Sequence, residues 1–464
     1  MSSKNVSTGV NGRRWVPAQR TDDLITPPPI VPSGDVLPAV VLDLDLSDPL
    51  PSVPAVAPDG RRVARAWALV RLFTEPVGAV LADVPHGGLR PADLAAAIDR
   101  ELGASLRPRL AALAASAAVP IDGITPATEP PFLARRREVL ATGPHITVVV
   151  CTRERPGALA RCLDSLLAQE YPAFTVLVVD NAPATGATAE VVRSAARRGP
   201  VEYLVEPTAG LSFARNAAVA ATPNRILAWI DDDEVADVHW LAEVARALAD
   251  HPEADVVSGV IVPAELETPA QLWFEQFGGH SKGRGFRPDV FGPTTARLQS
   301  PLYPLPPFGT GANMTFRPGV VEEIGGFDTA LGAGTPAMGS EDTLAFTQVL
   351  LGGGTIVYQP AAVTHHYHRR DLEGLRRQMV GYGVGLTAAY TSLLVRRPGL
   401  LWPLVKLVPT ALRDLNGADS LRVASLGEDF PRELLTANRR GMLAGPRAYL
   451  KGRRAARAAT RRGR

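Results

Sequence analysis

From Ile146 onward the chain alternates short apolar runs with amphipathic stretches, and the connections are short enough to dictate a layered α/β sheet. The β-branched run Ile146–Cys151 is followed by a helical segment with Leu159, Cys162, Leu163, Leu166 and Leu167 on one face. Phe174–Val179, Val201–Val205 and Ile226–Ile230 read as further strands, with helices over about 188–196 and 212–220 between them. This order predicts an open, mainly parallel, Rossmann-like sheet, with a fifth strand over Asp255–Val262. Such a sheet binds ligands at the carboxyl ends of its strands, where Thr152, Glu154, Asp180 and Asp231 to Asp233 all fall.

The fourth strand ends in four consecutive acidic residues, Asp231, Asp232, Asp233 and Glu234. Adjacent carboxylates repel, so a cation and an anionic substrate are natural neutralising partners; a solvated acidic turn before a helix is the plainer alternative. A nucleoside diphosphate fits the surrounding pattern. Asp180 can accept hydrogen bonds from a base or ribose, Thr152 and Glu154 can line the same pocket, and Gly210 with Arg215 can add backbone and cationic contacts. The pyrophosphate calls for a hard divalent cation, Mn²⁺ or Mg²⁺, bridged to one or two of the carboxylates.

The ordered series TVVVCTRERP, VLVVDNAP, ARNAA and WIDDDE resembles a family 2 glycosyltransferase of GT-A fold, of the actinobacterial type with an N-terminal accessory domain. The resemblance runs from about His145 to Gly383. It implies a UDP-, GDP- or dTDP-sugar donor, a divalent metal and inversion at the anomeric carbon. Asp231 and Asp232 then become donor-side carboxylates, with Asp233 as the metal ligand. The block PFGTGANMTF supplies Gly311 and Asn313 to the sugar or acceptor. In the Glu341-Asp342 pair, Asp342 corresponds to the general base and Glu341 to a positioning group. The sequence departs from relatives that carry a further acid two positions on, because Leu344 stands there. In the run His365-His366-Tyr367-His368-Arg369-Arg370, His366 matches a metal- or diphosphate-contacting histidine, His368 is second choice, and the arginines offer phosphate contacts.

The remaining sequence bounds the organisation. A chain of 464 residues predicts more than one unit: a lead-in over 1–35, an α+β accessory domain and linker over 36–144, the catalytic domain over 145–370, a helical extension over 371–445 and a basic tail over 446–464. The net charge of +2 gives no reason to expect specific nucleic-acid binding, and Cys151 and Cys162 read as buried apolar residues in a reducing compartment. No signal segment or membrane-length apolar run is visible, which predicts a cytoplasmic protein. The apolar stretches 386–395 and 400–412 suit core or dimer packing first and peripheral contact with the inner face of a membrane second; a lipid-linked compound or secondary metabolite is then a natural acceptor. Two other functions compete: a nucleotidyltransferase acting on sugar phosphates, which lacks its glycine-rich phosphate loop here, and a non-catalytic nucleotide-sugar-binding protein, which would not need the Glu-Asp pair.

Overall fold

The computed structural model describes residues 38–113, 118–281, 284–293, 302, 308–416, 426–427 and 429–462. The expected lead-in 1–35 and Pro307 lie outside them. Strands β1 (Ala39–Asp45), β2 (Arg65–Leu72) and β3 (Glu75–Asp83) form a separate three-stranded sheet with β2 in the middle. The segment 64–72, which sequence leaves open between strand and helix, is β2, and it lacks a polar alternation because both its faces are buried. Ala66, Ala68 and Val70 pack toward α1 (Pro91–Ala112), while Trp67 and Leu69 join the core of the larger sheet.

The proline-rich connection before residue 145 contains a helix, α2 (Pro131–Thr142). Its paired prolines start the helix, where a missing N–H costs nothing, instead of marking a loop. Arg136 of this helix is buried and donates to the fully buried Glu243 at 2.8 Å.

The main unit then runs β4 (Ile146–Thr152), α3 (Pro156–Leu167), β5 (Phe174–Asn181), α4 (Ala187–Ala196), β6 (Val201–Glu206), α5 (Leu211–Ala221) and β7 (Ile226–Asp231). It continues through β8 (Glu234–Ala236), α6 (Trp240–Asp250), β9 (Val256–Pro263), α7 (Pro269–Gln276), β10 (Asp289–Phe291) and β11 (Asn313–Phe316). The last members are α8 (Val320–Glu323), α9 (Glu341–Leu351) and β12 (Ile356–His366). The sheet order is β10-β12-β9-β11-β7-β4-β5-β6, with β8 against β12. Strands β7, β4, β5 and β6 are parallel, as expected. The sheet is nonetheless mixed, a GT-A-like arrangement, because β11 inserts antiparallel between β7 and β9. Alternate residues of β4 serve opposite layers: Val148 and Val150 meet α3 and α6, and Val149 meets α5.

β12 is the longest strand described, running eleven residues to His366. Pro360 lacks an N–H, and the register with β9 shifts between Gln359 and Val363 to pass it.

After Asp371, whose side chain caps Gly374, come α10 (Leu372–Arg396), α11 (Leu401–Asn416) and α12 (Arg432–Arg462). No break falls at the expected boundary at 445: α12 runs across it into the basic segment as far as Arg462. Glycines explain why so charged a segment docks. A Cβ on Gly441 would meet the Val380 carbonyl, one on Gly445 the Thr387 hydroxyl and one on Gly383 the Asn438 carbonyl. The backbones of α10 and α12 are in direct contact, and Asn438 donates to the Met379 carbonyl at 2.9 Å. Replacing Gly441 and Gly445 together by alanine is expected to wedge the pair apart at a cost of about 1–3 kcal/mol. Thermal denaturation would show the loss, and limited proteolysis would cut α12 first; an unchanged melting curve would contradict the close approach.

Candidate active site

Strand ends and register gather the predicted residues. At the end of β7, Asp232 is buried and accepts from the Thr152 hydroxyl at 2.7 Å, so Thr152 orients that carboxylate from the neighbouring strand β4. Arg155, from the turn after β4, spans the acidic run: it donates to Asp232 at 2.5 Å and to Asp233 at 2.7 Å. Sequence reasoning passed over Arg155, although its place just beyond a strand end in TRERP was the available signal.

The pairing of β8 with β12 sets Glu234 opposite His366. Asp233 Oδ1 thereby faces His366 Nε2 at 3.4 Å, with Arg369 at 3.9 Å from its other oxygen. Behind His366 runs a chain of ring contacts: its Nδ1 is 3.0 Å from Nδ1 of His368, whose Nε2 is 2.7 Å from Glu275 of α7. His280 also joins this group, its ring centroid 4.2 Å from that of His366. His280 lies 86 positions before His366, and nothing in its local sequence announces the meeting.

The second half of the site is built around Arg215 of α5, which is buried. It donates to Glu341 at 2.9 Å and to the Gly311 carbonyl at 3.0 Å, and lies 3.8 Å from Asp231. Gly311 in turn donates its N–H to Asp342 at 2.6 Å. A Cβ at position 311 would lie within 3 Å of both the Arg215 guanidinium and Asp342, so the position has no room for a side chain. Glu341 and Asp342 open α9, preceded by Ser340 in the left-handed region at φ 65°. The acidic end of β7 and the Glu-Asp pair thus share one guanidinium, although they are more than a hundred positions apart in the chain.

At the end of β5, Asp180 is buried and accepts from the Tyr203 hydroxyl at 2.7 Å. Burial raises its carboxyl above the usual range, against that hydrogen bond.

Three of the expected residues are engaged within the fold. Asn313 cannot reach a sugar: it is buried within β11, accepting from Trp240 Nε1 at 3.0 Å and donating to the carbonyls of Val260 and Ala362. Glu154 is exposed and engages its carboxylate with the turn before α4, accepting from the N–H groups of Ala184 and Thr185 and from the Thr185 hydroxyl. Gly210 spends its N–H on Asn181 at 2.8 Å, and its value lies in a φ of 135°, which turns the chain into α5.

Electrostatics separates the four acids. Burial would raise Asp233, but His366 and Arg155 outweigh it and hold the group well below the usual carboxylate range. For Asp232 burial prevails over Arg155 and pushes the carboxyl up to about 7. Burial likewise lifts Glu341 to about 7 although Arg215 opposes it. Glu234 is buried with no basic partner among the described residues; burial, then Asp231 and Asp233, drive it well above its ordinary value.

Residues 147–325 match the family described as Glycosyl transferase family 2. The chain is 27% identical over 198 residues, 40% of its length, to the glucosyl-dolichyl phosphate glucuronosyltransferase of Haloferax volcanii, covering 57% of that protein. It is 24% identical over 261 residues, 56% of its length, to the pre-mycofactocin glycosyltransferase of Mycobacterium tuberculosis, covering 50% of it. Similarity to the succinoglycan biosynthesis protein ExoM of Rhizobium meliloti is 29% over 229 residues, 48% of this chain and 66% of that one. The chain thus spans less than two thirds of each of these relatives. Among solved structures it is similar to a mannosyltransferase from Pyrobaculum calidifontis in complex with GDP-Man and Mn²⁺. That match has 20% identity and a TM-score of 0.39, and covers 71% of this chain and 82% of the other.

Glu234 yields a test of the charge arrangement. Its pKa is higher folded than unfolded, so its contribution to stability is greatest below the unfolded value and falls as pH rises toward the folded one. Glu234→Gln removes that titration. The variant is expected to melt above the parent, by a margin that widens between about pH 5 and pH 8. Parallel melting curves across that range would refute a buried, uncompensated acid.

Proposed function

Starting from a chain that carries a family 2 glycosyltransferase domain over residues 147–325, we propose that it moves a sugar from a nucleoside-diphosphate donor to an acceptor hydroxyl, with Asp342 as general base. The observation that carries this reading is the convergence of Asp231, Glu341 and the Gly311 carbonyl on Arg215, with the Gly311 N–H holding Asp342. A donor pocket alone would need no second acidic pair at its edge. That same pair, with the family match, favours sugar transfer over the nucleotidyl-transfer and binding-only alternatives.

The donor half would seat the base or ribose against Asp180 and the diphosphate at the end of β7. Arg155 and Arg369 supply positive charge beside Asp233. Asp233 Oδ1 and His366 Nε2 fit a divalent cation, since an oxygen and an imidazole nitrogen 3.4 Å apart face one another with the Asp233 carboxyl ionised. Mn²⁺ or Mg²⁺ held there would offset the diphosphate charge. The His368–Glu275 pair behind His366 restrains the ring so that its Nε2 stays turned toward Asp233.

In the acceptor half, Asp342 takes the hydroxyl proton as the acceptor oxygen bonds to the anomeric carbon and the bond to the diphosphate breaks. An attack opposite the leaving group inverts the anomeric centre. Gly311 and Thr343 N–H groups fix the two Asp342 oxygens at 2.6 Å each, leaving further lone pairs for the incoming proton. Glu341 holds Arg215 and, through it, the Gly311 carbonyl.

Transfer and hydrolysis should be followed with UDP-, GDP- and dTDP-sugars in Mn²⁺ and in Mg²⁺. The relative named for a glucosyl-dolichyl phosphate substrate motivates a polyprenyl-phosphate sugar among the acceptors. Asp342→Asn is expected to lower kcat by about 10²–10⁴-fold with donor affinity retained; full activity would remove Asp342 as the base. Asp233→Ala is expected to abolish the metal dependence of nucleotide binding in calorimetry. Undiminished metal-dependent binding would reject that ligand assignment without touching the Asp342 result.

A further inference from the structure

Helix α11 is apolar on two sides. Leu404 and Leu407, with Leu400 just before the helix, pack into a cluster that holds Ala388, Ala389 and Leu393 of α10 and Tyr449 of α12. Leu401, Trp402, Val405 and Val408 point the other way, and Trp402 is 69% exposed. A helix that has already buried one stripe has no structural need of a second. The chain's other large exposed apolar side chains, such as Val56, Ile121 and Val238, are mostly scattered.

The neighbouring surface of α12 is basic. Exposed Arg447, Lys451, Arg454, Arg457 and Arg461 accompany exposed Leu443 and Leu450, and no acidic residue follows Glu433 in the chain. Both helices border one cluster: Arg453, Arg457 and Arg461 line a cavity of about 470 Å³ with Ala330, and Ala330 belongs to the cluster that Leu404 and Leu407 enter.

We infer that α11 and the outer face of α12 form a docking surface for an anionic lipid bilayer, with the Trp402 stripe entering the headgroup region and the arginines lying on lipid phosphates. Trp at such a boundary, aliphatic side chains beside it and long basic side chains around them match the interface layer by layer. No helix among the described residues is long and apolar enough to cross a membrane, so the contact is peripheral. A second copy of the chain fits this face less well, because a two-fold contact would set one arginine-rich surface against another. Nucleic acid would satisfy the arginines but not an exposed Trp402, Val405 and Val408 ridge. The inference stands apart from the catalytic reading, since it concerns helices outside the site and needs no turnover to test.

The full chain should be floated with vesicles of phosphatidylcholine alone and with about one third phosphatidylglycerol added, at low and high salt. Recovery with the anionic vesicles is expected to exceed that with neutral ones about tenfold and to fall in high salt. Trp402→Glu with Val405→Glu, and separately Arg454→Glu with Arg457→Glu, should each abolish most of it. The second pair keeps the test alive if the first disturbs folding, which circular dichroism would reveal. Equal recovery with both vesicle types, or recovery unaffected by either pair, would overturn the inference. So would sedimentation showing a dimer that Trp402→Glu dissociates, because a second copy would then be the occupant.

Discussion

Four consecutive carboxylates at the end of a buried strand must be reconciled with one another before anything can bind there. The fold does so by giving each a different partner. Asp231 faces Arg215, Asp232 takes Thr152 and Arg155, Asp233 is held ionised by His366 and Arg155, and Glu234 is turned into the interior. Like charges in one dry site cannot all ionise at ordinary cost, so the run divides: Asp233 is held ionised by its basic partners, while burial shifts Asp232 and Glu234 toward the neutral form. Exposure differs along the run as well: the Asp231 side chain is partly exposed, whereas Asp232, Asp233 and Glu234 are buried.

That compensation depends on long-range register. β8 is only three residues long, yet its pairing with the end of β12 is what brings His366 to Asp233. β11 performs the equivalent service for the other half. By entering antiparallel beside β7 it sets Asn313 opposite Ile230, which carries the preceding Gly311 to the acidic strand end. Asn313 is the anchor of that placement, its amide bonded to Trp240 of α6, Val260 of β9 and Ala362 of β12. An amide in a glycine-rich block reads as ligand-binding, but here it supports the loop that does the positioning.

This locates what could be read from sequence and what could not. Strands β4 to β7 were legible because each is a short apolar run ending in a polar strand tip, and Asp180, Asp231 and Asp342 are local features of such tips or of a helix start. β2 and the far end of β12 were less legible, the first because burial on both faces erases its alternation, the second because Pro360 interrupts its pattern. Arg155 and His280 escaped for a different reason: their importance lies in whom they meet across the fold. The docked course of α12 was hidden by composition, since arginine content speaks for solvent while Gly441 and Gly445 decide the contact.

The shared guanidinium of Arg215 gives the site a further property. Asp231 and Glu341, assigned to donor and acceptor only in the proposed function, both lean on one buried cation, and Gly311 connects that cation to Asp342 through its own carbonyl and N–H. On the proposed reading a diphosphate arriving near Asp231 would change the field at Arg215, the group that holds Glu341 and the backbone locating Asp342. The two halves are therefore joined through two hydrogen bonds and the backbone of one residue, Gly311. Because a Cβ at 311 would collide with both Arg215 and Asp342, that coupling requires glycine for its close packing, whatever sugar the loops around it select.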